Sequence, residues 1–452
     1  MKVIVAGCGK VGATIVEQLR SEGHEIAVID TQNEVIDRIT NTYDVIGVVG
    51  NAASCGVQKE AGVEDADLLI AVTNYDEVNM LCCLVAKKAG DCKTIARVRN
   101  PVYNQEILFI KDELGLSMVV NPELSVAREI SRILRSPNAI NIETFSRGKI
   151  ELTEFIIPEG CLLDGMSIMD VRRRIQPNMI ICGVERGDEV VIPNGAFVLR
   201  SNDIINFVAA PNDAKQFFIA IGLDALRIKD VMIAGGGTIA YYLTGMLSGF
   251  GMNVKIIEKD KKKCMKLTEV NATIINGDAT DQELLIEEGI ENVDAFVSLT
   301  GMDEANIFLS LTARELNPSA KTVTKSNHRS FVSIIGKLNM DAMVYPKDMT
   351  AESIVRYVRA MQNGMGSNVE TLYKIIRGKV EALEFIIRKD TEIKDVPLSE
   401  LPIKSNLLIA AIYRRGSVIY PDGQTELKEG DRVVVITTVT GIDDIKDIIE
   451  EV

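Results

Sequence analysis

The stretch VIVAGCGKVGATIVEQLRSEGHEIAVID, residues 3–30, decides the fold. It opens with an apolar run, turns through three spaced glycines, continues at helical periodicity and ends in a second apolar run closed by an acid. Gly7, Gly9 and Gly12 fit G-x-G-x-x-G directly between a strand and a helix. In that pattern the first glycine permits a tight turn and the second lets backbone N–H groups approach a phosphate. The third lets helix and strand pack closely, and the helix N-terminus adds a positive dipole end. Asp30 ends the second strand, where a carboxylate accepts hydrogen bonds from adenosine ribose hydroxyls and repels a 2′-phosphate, which disfavours NADP. NAD, ATP and ADP share an adenosine and a nearby phosphate, so these residues do not separate them.

Further strands follow: DVIGVVG (44–50), DLLIAVT (67–73) and TIARVR (94–99). Together with KVIVAG and EIAVID they read as parallel strands buried on both faces, joined by crossover helices. The expected fold is α/β, a Rossmann-like doubly wound parallel sheet. Loops at strand C-terminal ends supply further candidates. In the loop Gly50-Asn51-Ala52, Asn51 is placed to hydrogen-bond adenine, and Thr73 and Asn74 are placed to flank base or ribose. Arg97 offers a planar donor fork to a phosphate, or a surface ion pair instead.

The chain is written twice. VMIAGGGTIAYYLTGMLSGFGMNVKIIEKD (231–260) repeats the opening, and GDAT (277–280), NVDAFVSLTGMDEAN (292–306), KTVTKSNH (321–328) and MVYPK (343–347) repeat GNAAS, DADLLIAVTNYDEVN, KTIARVRN and VVNPE in order. The repeat extends through RGKIELTEFIIP (147–158) and RGKVEALEFIIR (377–388) into segments where short strands outnumber helices. Each Rossmann-like lobe is therefore followed by a small α+β lobe. The expected boundaries are 1–123, 140–224, 228–348 and 368–452, with VAREISRILRS bridging the first pair. The second glycine turn departs from the first. Gly235, Gly236 and Gly237 are followed by Thr238 and Ile239, Ala240 replaces the third glycine, and Glu258 takes the acid position. Asp278 replaces Asn51, Gly301 replaces Asn74 and Lys325 replaces Arg97, so ligand preference there is expected to differ.

Composition excludes several classes. The net charge is −14, which repels phosphate backbones and argues against nucleic acid as a partner and against a polybasic membrane binder. The 8 cysteines show no CxxC pair and no Cys/His cluster. Such thiols suit a reducing cytosol, and the two histidines, His24 and His328, make no zinc site on their own. No charged-then-apolar leader precedes KVIVAG, and no apolar run reaches the roughly 18 residues of a bilayer span. Asp76-Glu77 and Asp303-Glu304 recur at helix starts, where complementing the macrodipole is favoured over a divalent-cation site. The recurring Asn79 and Asn306 have no assignment from sequence. Cys8 lies in the glycine turn without a resolving partner, against a redox role, and Cys82-Cys83 reads as helix packing.

The unit carrying GCGKVG, Asp30, GNAAS, LLIAVTNYDEVN and ARVRNP resembles the RCK (KTN) family of ligand-sensing domains, and RGKIELTEFIIPEG resembles its companion C-lobe. The likeness covers essentially the whole chain in tandem. It implies a cytoplasmic subunit with no catalytic residues and no metal, peripheral to the membrane through a partner, that binds NAD(H) and also ATP or ADP. It implies a homotetrameric ring of eight units acting on a separate membrane potassium-translocating subunit. It places nucleotide contacts on Gly7, Cys8, Gly9, Lys10, Val11, Gly12, Asp30, Asn51, Ala52, Thr73, Asn74 and Arg97. In the second lobe it places them on Gly235 through Ile239, Glu258, Asp278, Thr300 and Lys325. The helices near 126–136 and 354–361 become candidate hinges. The alternatives are an NAD-dependent oxidoreductase, for which the small lobes show no evident acid–base set, and a regulator of a different cation channel or efflux system.

Overall fold

A computed structural model describes residues 1–135, 138–139, 141–187, 189–223, 228–327, 341–363, 369–375, 379–389, 391–439, 442 and 444–450. The chain divides into two compact units: 1–135 with 228–355, and 136–227 with 356–452.

The first unit holds both Rossmann lobes. In the first lobe, strands β1 (Lys2–Ala6), β2 (Glu25–Asp30), β3 (Ile46–Val49), β4 (Leu68–Ala71), β5 (Lys93–Arg97) and β6 (Met118–Val120) form one sheet in the order 3-2-1-4-5-6. All pairings are parallel. The connections are α1 (Lys10–Ser21), α2 (Asn33–Tyr43), α3 (Cys55–Glu60), α4 (Asp76–Gly90) and α5 (Pro101–Ile110), followed by α6 (Pro122–Arg135). This order reverses between β1 and β4, which opens a crevice at their carboxyl ends. β6 has only three residues, too few for a periodicity signal, and was not among the strands read from sequence.

One expectation is corrected. DVIGVVG was read as buried on both faces, but β3 is the sheet edge and Ile46 is 68% exposed. Edge position is set by chain topology, and local apolarity does not reveal it.

In the second lobe, β12 (Asp230–Ala234), β13 (Asn253–Glu258), β14 (Thr273–Asn276), β15 (Ala295–Ser298), β16 (Lys321–Lys325) and β17 (Ala342–Val344) repeat the order as 14-13-12-15-16-17. Its helices are α9 (Thr238–Gly249), α10 (Lys261–Lys266), α11 (Gln282–Glu287), α12 (Asp303–Leu316) and α13 (Pro346–Asn363). Helix α6 does more than bridge. Its buried Val126, Ala127, Ile130 and Leu134 pack with Leu243 and Leu247 of α9 and with Val231 and Ile233 of the second sheet. Burying Val126, Ile130 and Leu134 in this way contributes about 1.5–3 kcal/mol each, and the Ala127 methyl about 0.8 kcal/mol. The candidate hinge at 126–135 is thus part of a core. Ile354 and Val358 of α13 are fully buried too, while Ser136 lies outside the described residues.

The second unit holds both small lobes. β7 (Asn141–Phe145), β8 (Ile150–Ile156), β9 (Met179–Arg186), β10 (Glu189–Val191) and β11 (Ile204–Ala209) form an antiparallel sheet in the order 10-9-11-8-7, with helices α7 (Ile168–Arg174) and α8 (Pro211–Ala220). β18 (Val369–Ile375), β19 (Val380–Ile386), β20 (Leu407–Arg414), β21 (Ser417–Ile419) and β22 (Arg432–Thr437) form its counterpart. Phe145, Leu152 and Val208 share one apolar layer with Tyr373, Ala382 and Val434. The Phe145 and Tyr373 rings meet edge to face at 5.0 Å, and Tyr373 Oη donates to the Thr144 carbonyl at 2.8 Å. The forked pairs Arg186–Asp203 and Arg414–Asp431 recur at matching positions, each carboxylate buried. They satisfy both aspartates and fix the loops before β11 and β22.

Candidate functional site

The first glycine turn sits at the β1/β4 switch point. Gly7 is left-handed, with φ of +95°, and a Cβ there would lie 2.7 Å from the Thr73 nitrogen. The turn is therefore pressed onto the β4–α4 loop, where no side chain fits. Gly9 caps α1 in extended conformation, and a Cβ on it would meet nothing within 4 Å. Open space thus faces the start of α1, where the first-turn N–H groups lack helical partners. At Gly12 a Cβ would lie 2.0 Å from the Gly7 carbonyl oxygen, so helix and turn cross at backbone contact. Lys10 is exposed and Val11 partly so.

Asp30 ties this turn to β2. Its Oδ2 accepts from the Cys8 N–H at 2.8 Å and its Oδ1 from the Gln32 N–H at 3.0 Å. Each oxygen keeps a further lone pair for a ligand. Burial and the Asp30 charge push the Cys8 thiol up to about 12, which leaves it a neutral packing group. The next loop joins through Gly50 N–H, which donates to the Asp30 carbonyl at 2.9 Å. Asn51 is exposed, its Oδ1 accepting from Ala53 N–H at 3.0 Å, and Ala52 is buried.

Asn79, unassigned from sequence, organises the other side. Its Oδ1 accepts from the Thr73 N–H at 2.8 Å and the Thr73 hydroxyl at 2.7 Å. Its Nδ2 donates to the Thr73 carbonyl at 3.2 Å and the Arg97 carbonyl at 2.9 Å. One buried amide thus clamps the β4–α4 loop to the end of β5. Asn306 repeats every bond, to Thr300 and to the Lys325 carbonyl at 3.0 Å. The signal was the recurrence of asparagine at one helical position in both repeats. Arg97 itself lies under this loop, where its Nη2 donates to the Thr73 carbonyl. Burial and neighbouring Arg99 lower its pKa, and Glu123 and Asp76 oppose this. It is 7% exposed, so the surface ion pair weighed from sequence is not formed. Asn74 is exposed, and its carbonyl accepts from Arg99 Nη2 at 2.6 Å.

Asp76 has a second task beyond the helix dipole. Its Oδ2 accepts from the Arg99 and Asn100 N–H groups, both at 2.8 Å, closing the β5–α5 loop. Asp303 likewise accepts from Asn327 N–H at 2.7 Å. Glu77 accepts from the Tyr103 hydroxyl at 2.7 Å. Among the described residues, no group of three or more His, Cys, Asp or Glu is placed to hold a metal ion. His24 is buried, and His328 lies outside the described residues.

The second turn is built alike with altered parts. Gly235 has φ of +105°, and Glu258, one methylene longer than Asp30, reaches the Gly236 N–H at 2.7 Å and the Asp260 N–H at 2.8 Å. Gly237 faces open space, Thr238 starts α9 exposed, and Ile239 is partly buried. Asp278 holds Thr280 N–H at 3.0 Å. Lys325 is partly buried, and desolvation lowers its pKa.

A cleft of about 880 Å³ lies in front of this second turn. Gly236, Gly237 and Thr238 line it, whereas Glu258, Asp278, Thr300 and Lys325 do not. Its other wall comes from the first lobe, including Asn74, Asp76, Arg99 and Glu123. Sequence reading missed Arg99, Glu123, Lys263 and Lys266 here; the lysine run after Asp260 was the available signal.

Two tandem doubly wound sheets, each with a glycine turn at its switch point, define a duplicated Rossmann-type protein. Residues 3–122 and 231–346 match the TrkA-N domain, and residues 152–221 and 382–450 match the TrkA-C domain. The chain belongs to the TrkA family. It is 32% identical to a Trk system potassium uptake protein TrkA homolog of Archaeoglobus fulgidus, across 99% of this chain and 100% of that one. It is 31% identical to the Trk system potassium uptake protein TrkA of Haemophilus influenzae, across 96% and 95%. The GsuK channel bound to NAD shares the fold, with a TM-score of 0.65 at 18% identity over 96% of this chain and 76% of that one.

Proposed function

We propose that this chain is a nucleotide-binding regulatory subunit of a potassium uptake system, acting on a membrane potassium-translocating partner and catalysing no reaction itself. The observation that carries this reading is the first glycine turn. Its open helix N-terminus and Asp30 lie side by side at a Rossmann switch point, in a chain whose relatives are named for potassium uptake. The phosphates of NAD(H), ATP or ADP meet the N–H groups from Gly9 to Gly12. The ribose meets Asp30, and adenine lies near Asn51 and Ala52, with Thr73 and Asn74 opposite. Arg97 acts from beneath, holding the Thr73 loop. The second lobe offers Gly235 through Ile239, with Glu258 holding its turn.

Among the described residues no helix is long and apolar enough to cross a membrane. In this reading the partner supplies the pore, and the chain works from its cytoplasmic side in a homotetrameric ring. Regulation follows from differential affinity. A ligand that contacts the glycine turns better in one ring shape shifts the population toward it, typically by about 1–3 kcal/mol of coupling.

Calorimetric titration of the whole chain with NADH, NAD, ATP and ADP, with Asp30→Ala alongside, tests the reading. Saturable binding is expected, weakened roughly tenfold or more in the variant, since a hydrogen bond to a charged group is worth about 1.5–3 kcal/mol. Absence of binding by all four ligands would overturn it.

A further inference from the structure

Helix α9 opens at the second glycine turn, and its Tyr242 reaches into the first lobe. The phenol oxygen accepts from Asn121 Nδ2 at 3.0 Å and donates to the Arg99 carbonyl at 3.2 Å. Burial raises the Tyr242 pKa, so the hydroxyl keeps the proton it donates. Both partners are themselves fixed. Asn121 is buried, and its Oδ1 accepts from the Leu124 N–H at 2.9 Å in the first turn of α6. The Arg99 N–H donates to Asp76 Oδ2 at the start of α4, and its Nη2 donates to the Asn74 carbonyl at 2.6 Å. Arg99 thus meets three elements at once. Its side chain holds the β4–α4 loop, which packs against Gly7 of the first turn. Its N–H closes onto α4, and its carbonyl holds α9. In the duplicated frame Thr14 of α1 stands where Tyr242 stands in α9, and its hydroxyl donates to the Lys10 carbonyl of its own helix at 3.1 Å. Through this position the tie runs from the first lobe's loops to the second lobe's helix and is not repeated in reverse.

Resting on the nucleotide reading above, we infer that Tyr242 is a positioning residue that ties the second lobe's helix to the first lobe's ligand. A ligand seated at the first glycine turn sets the β4–α4 loop, Arg99 carries that setting across, and Tyr242 delivers it to α9. The coupling is a free energy between ligand and helix, limited by the two hydrogen bonds of one hydroxyl. The ligand therefore tightens α9 without touching it.

Hydrogen exchange of the full chain, resolved to α9 and read with and without saturating NADH, NAD, ATP or ADP, tests this. A Gly237→Asp background keeps phosphate off the second turn, because a side chain there meets nothing within 4 Å and its charge repels phosphate. Ligand is expected to slow exchange in Thr238–Gly249 by about threefold to tenfold, the worth of one such hydrogen bond. Tyr242→Phe keeps the ring and loses the hydroxyl, and it is expected to abolish the slowing while ligand still binds. Arg99→Ala keeps the carbonyl that Tyr242 meets but releases the Asn74 loop, and it is expected to abolish the slowing too. Slowing that persists in either variant would overturn the relay. So would a bound ligand that leaves α9 exchange unchanged when Tyr242 and Arg99 are intact. A Tyr242→Phe chain that exchanges faster by one constant factor, with and without ligand, would make Tyr242 a packing contact only and overturn it as well. Binding that disappears in the Gly237→Asp chain would take the ligand away from the first turn, with the same consequence. No binding of any of the four nucleotides to the unsubstituted chain would instead remove the reading beneath it.

Discussion

The first and second Rossmann lobes share strand order, a left-handed first glycine and the asparagine clamp, yet they solve the helix–turn crossing differently. In the first lobe Gly12 meets the Gly7 carbonyl so closely that a Cβ would stand 2.0 Å from it. In the second, Ala240 occupies the same crossing fully buried, so α9 must leave room that α1 does not. The acid changes in step. Asp30 is partly exposed, while the longer Glu258 is 6% exposed behind its turn and absent from the cleft lining. The first lobe therefore leaves its own carboxylate partly open to solvent. The second directs its carboxylate to holding the loop, and acids of the other lobe face the cleft instead. Duplication preserved the frame and let the contacts diverge.

The largest expected effect tests what the lobes share. Asn79→Ala and Asn306→Ala each remove four hydrogen bonds from a buried position. Each leaves the loop N–H of Thr73 or Thr300 without its acceptor, so each is expected to cost about 2–4 kcal/mol. Denaturant unfolding of the two variants measures this. Equal losses support one clamp in two copies. A loss confined to Asn79 would show that the second lobe holds its loop by other means.

A smaller effect tests where they differ. Gly12→Ala is expected to destabilise by about 1–3 kcal/mol through overpacking and to weaken nucleotide binding at the first turn, because the clash is with backbone that cannot rotate away. Ala240→Gly is expected to cost about 1–2 kcal/mol through helix propensity and the loss of one buried methyl, with binding at the second turn little changed. Thermal melts and titration of both variants decide this. A harmless Gly12→Ala would mean that the two crossings are equally roomy and the contrast is false.

Much of this frame was legible because its causes are local. A turn that needs a left-handed residue advertises glycine, and buried parallel strands advertise apolar runs. Landmarks in a fixed order reveal duplication at any distance. Three-residue strands such as β6 and β17 carry no periodicity, and the exposure of Ile46 follows from its place at the sheet edge. Asn79 and Asn306 were visible as a recurrence, but their role needed the carbonyl of a strand 18 or more residues away. The cleft was illegible for the same reason, enlarged. Arg99 and Lys263 share it across more than 160 intervening residues, and no local pattern announces such a meeting.

The smallest effect concerns the residue between the first two glycines, Cys8 in one lobe and Gly236 in the other. Cys8 is fully buried, and its thiol is pushed up to about 12 by burial and by Asp30. At pH 8 the folded chain should therefore leave Cys8 unmodified by a thiol reagent while the exposed Cys55 reacts, as mass mapping after labelling would report. The linkage has a definite sign. The folded pKa lies above the ordinary value of 9.0, so the neutral thiol's contribution to stability is complete below about pH 9 and is lost as pH rises toward about 12. Cys8→Ser, whose hydroxyl does not ionise there, should flatten that alkaline decline slightly. Rapid labelling of Cys8 in the native state would mean that the first turn opens to solvent. The first lobe would then be the looser of the two, the reverse of what its tight glycine crossing implies.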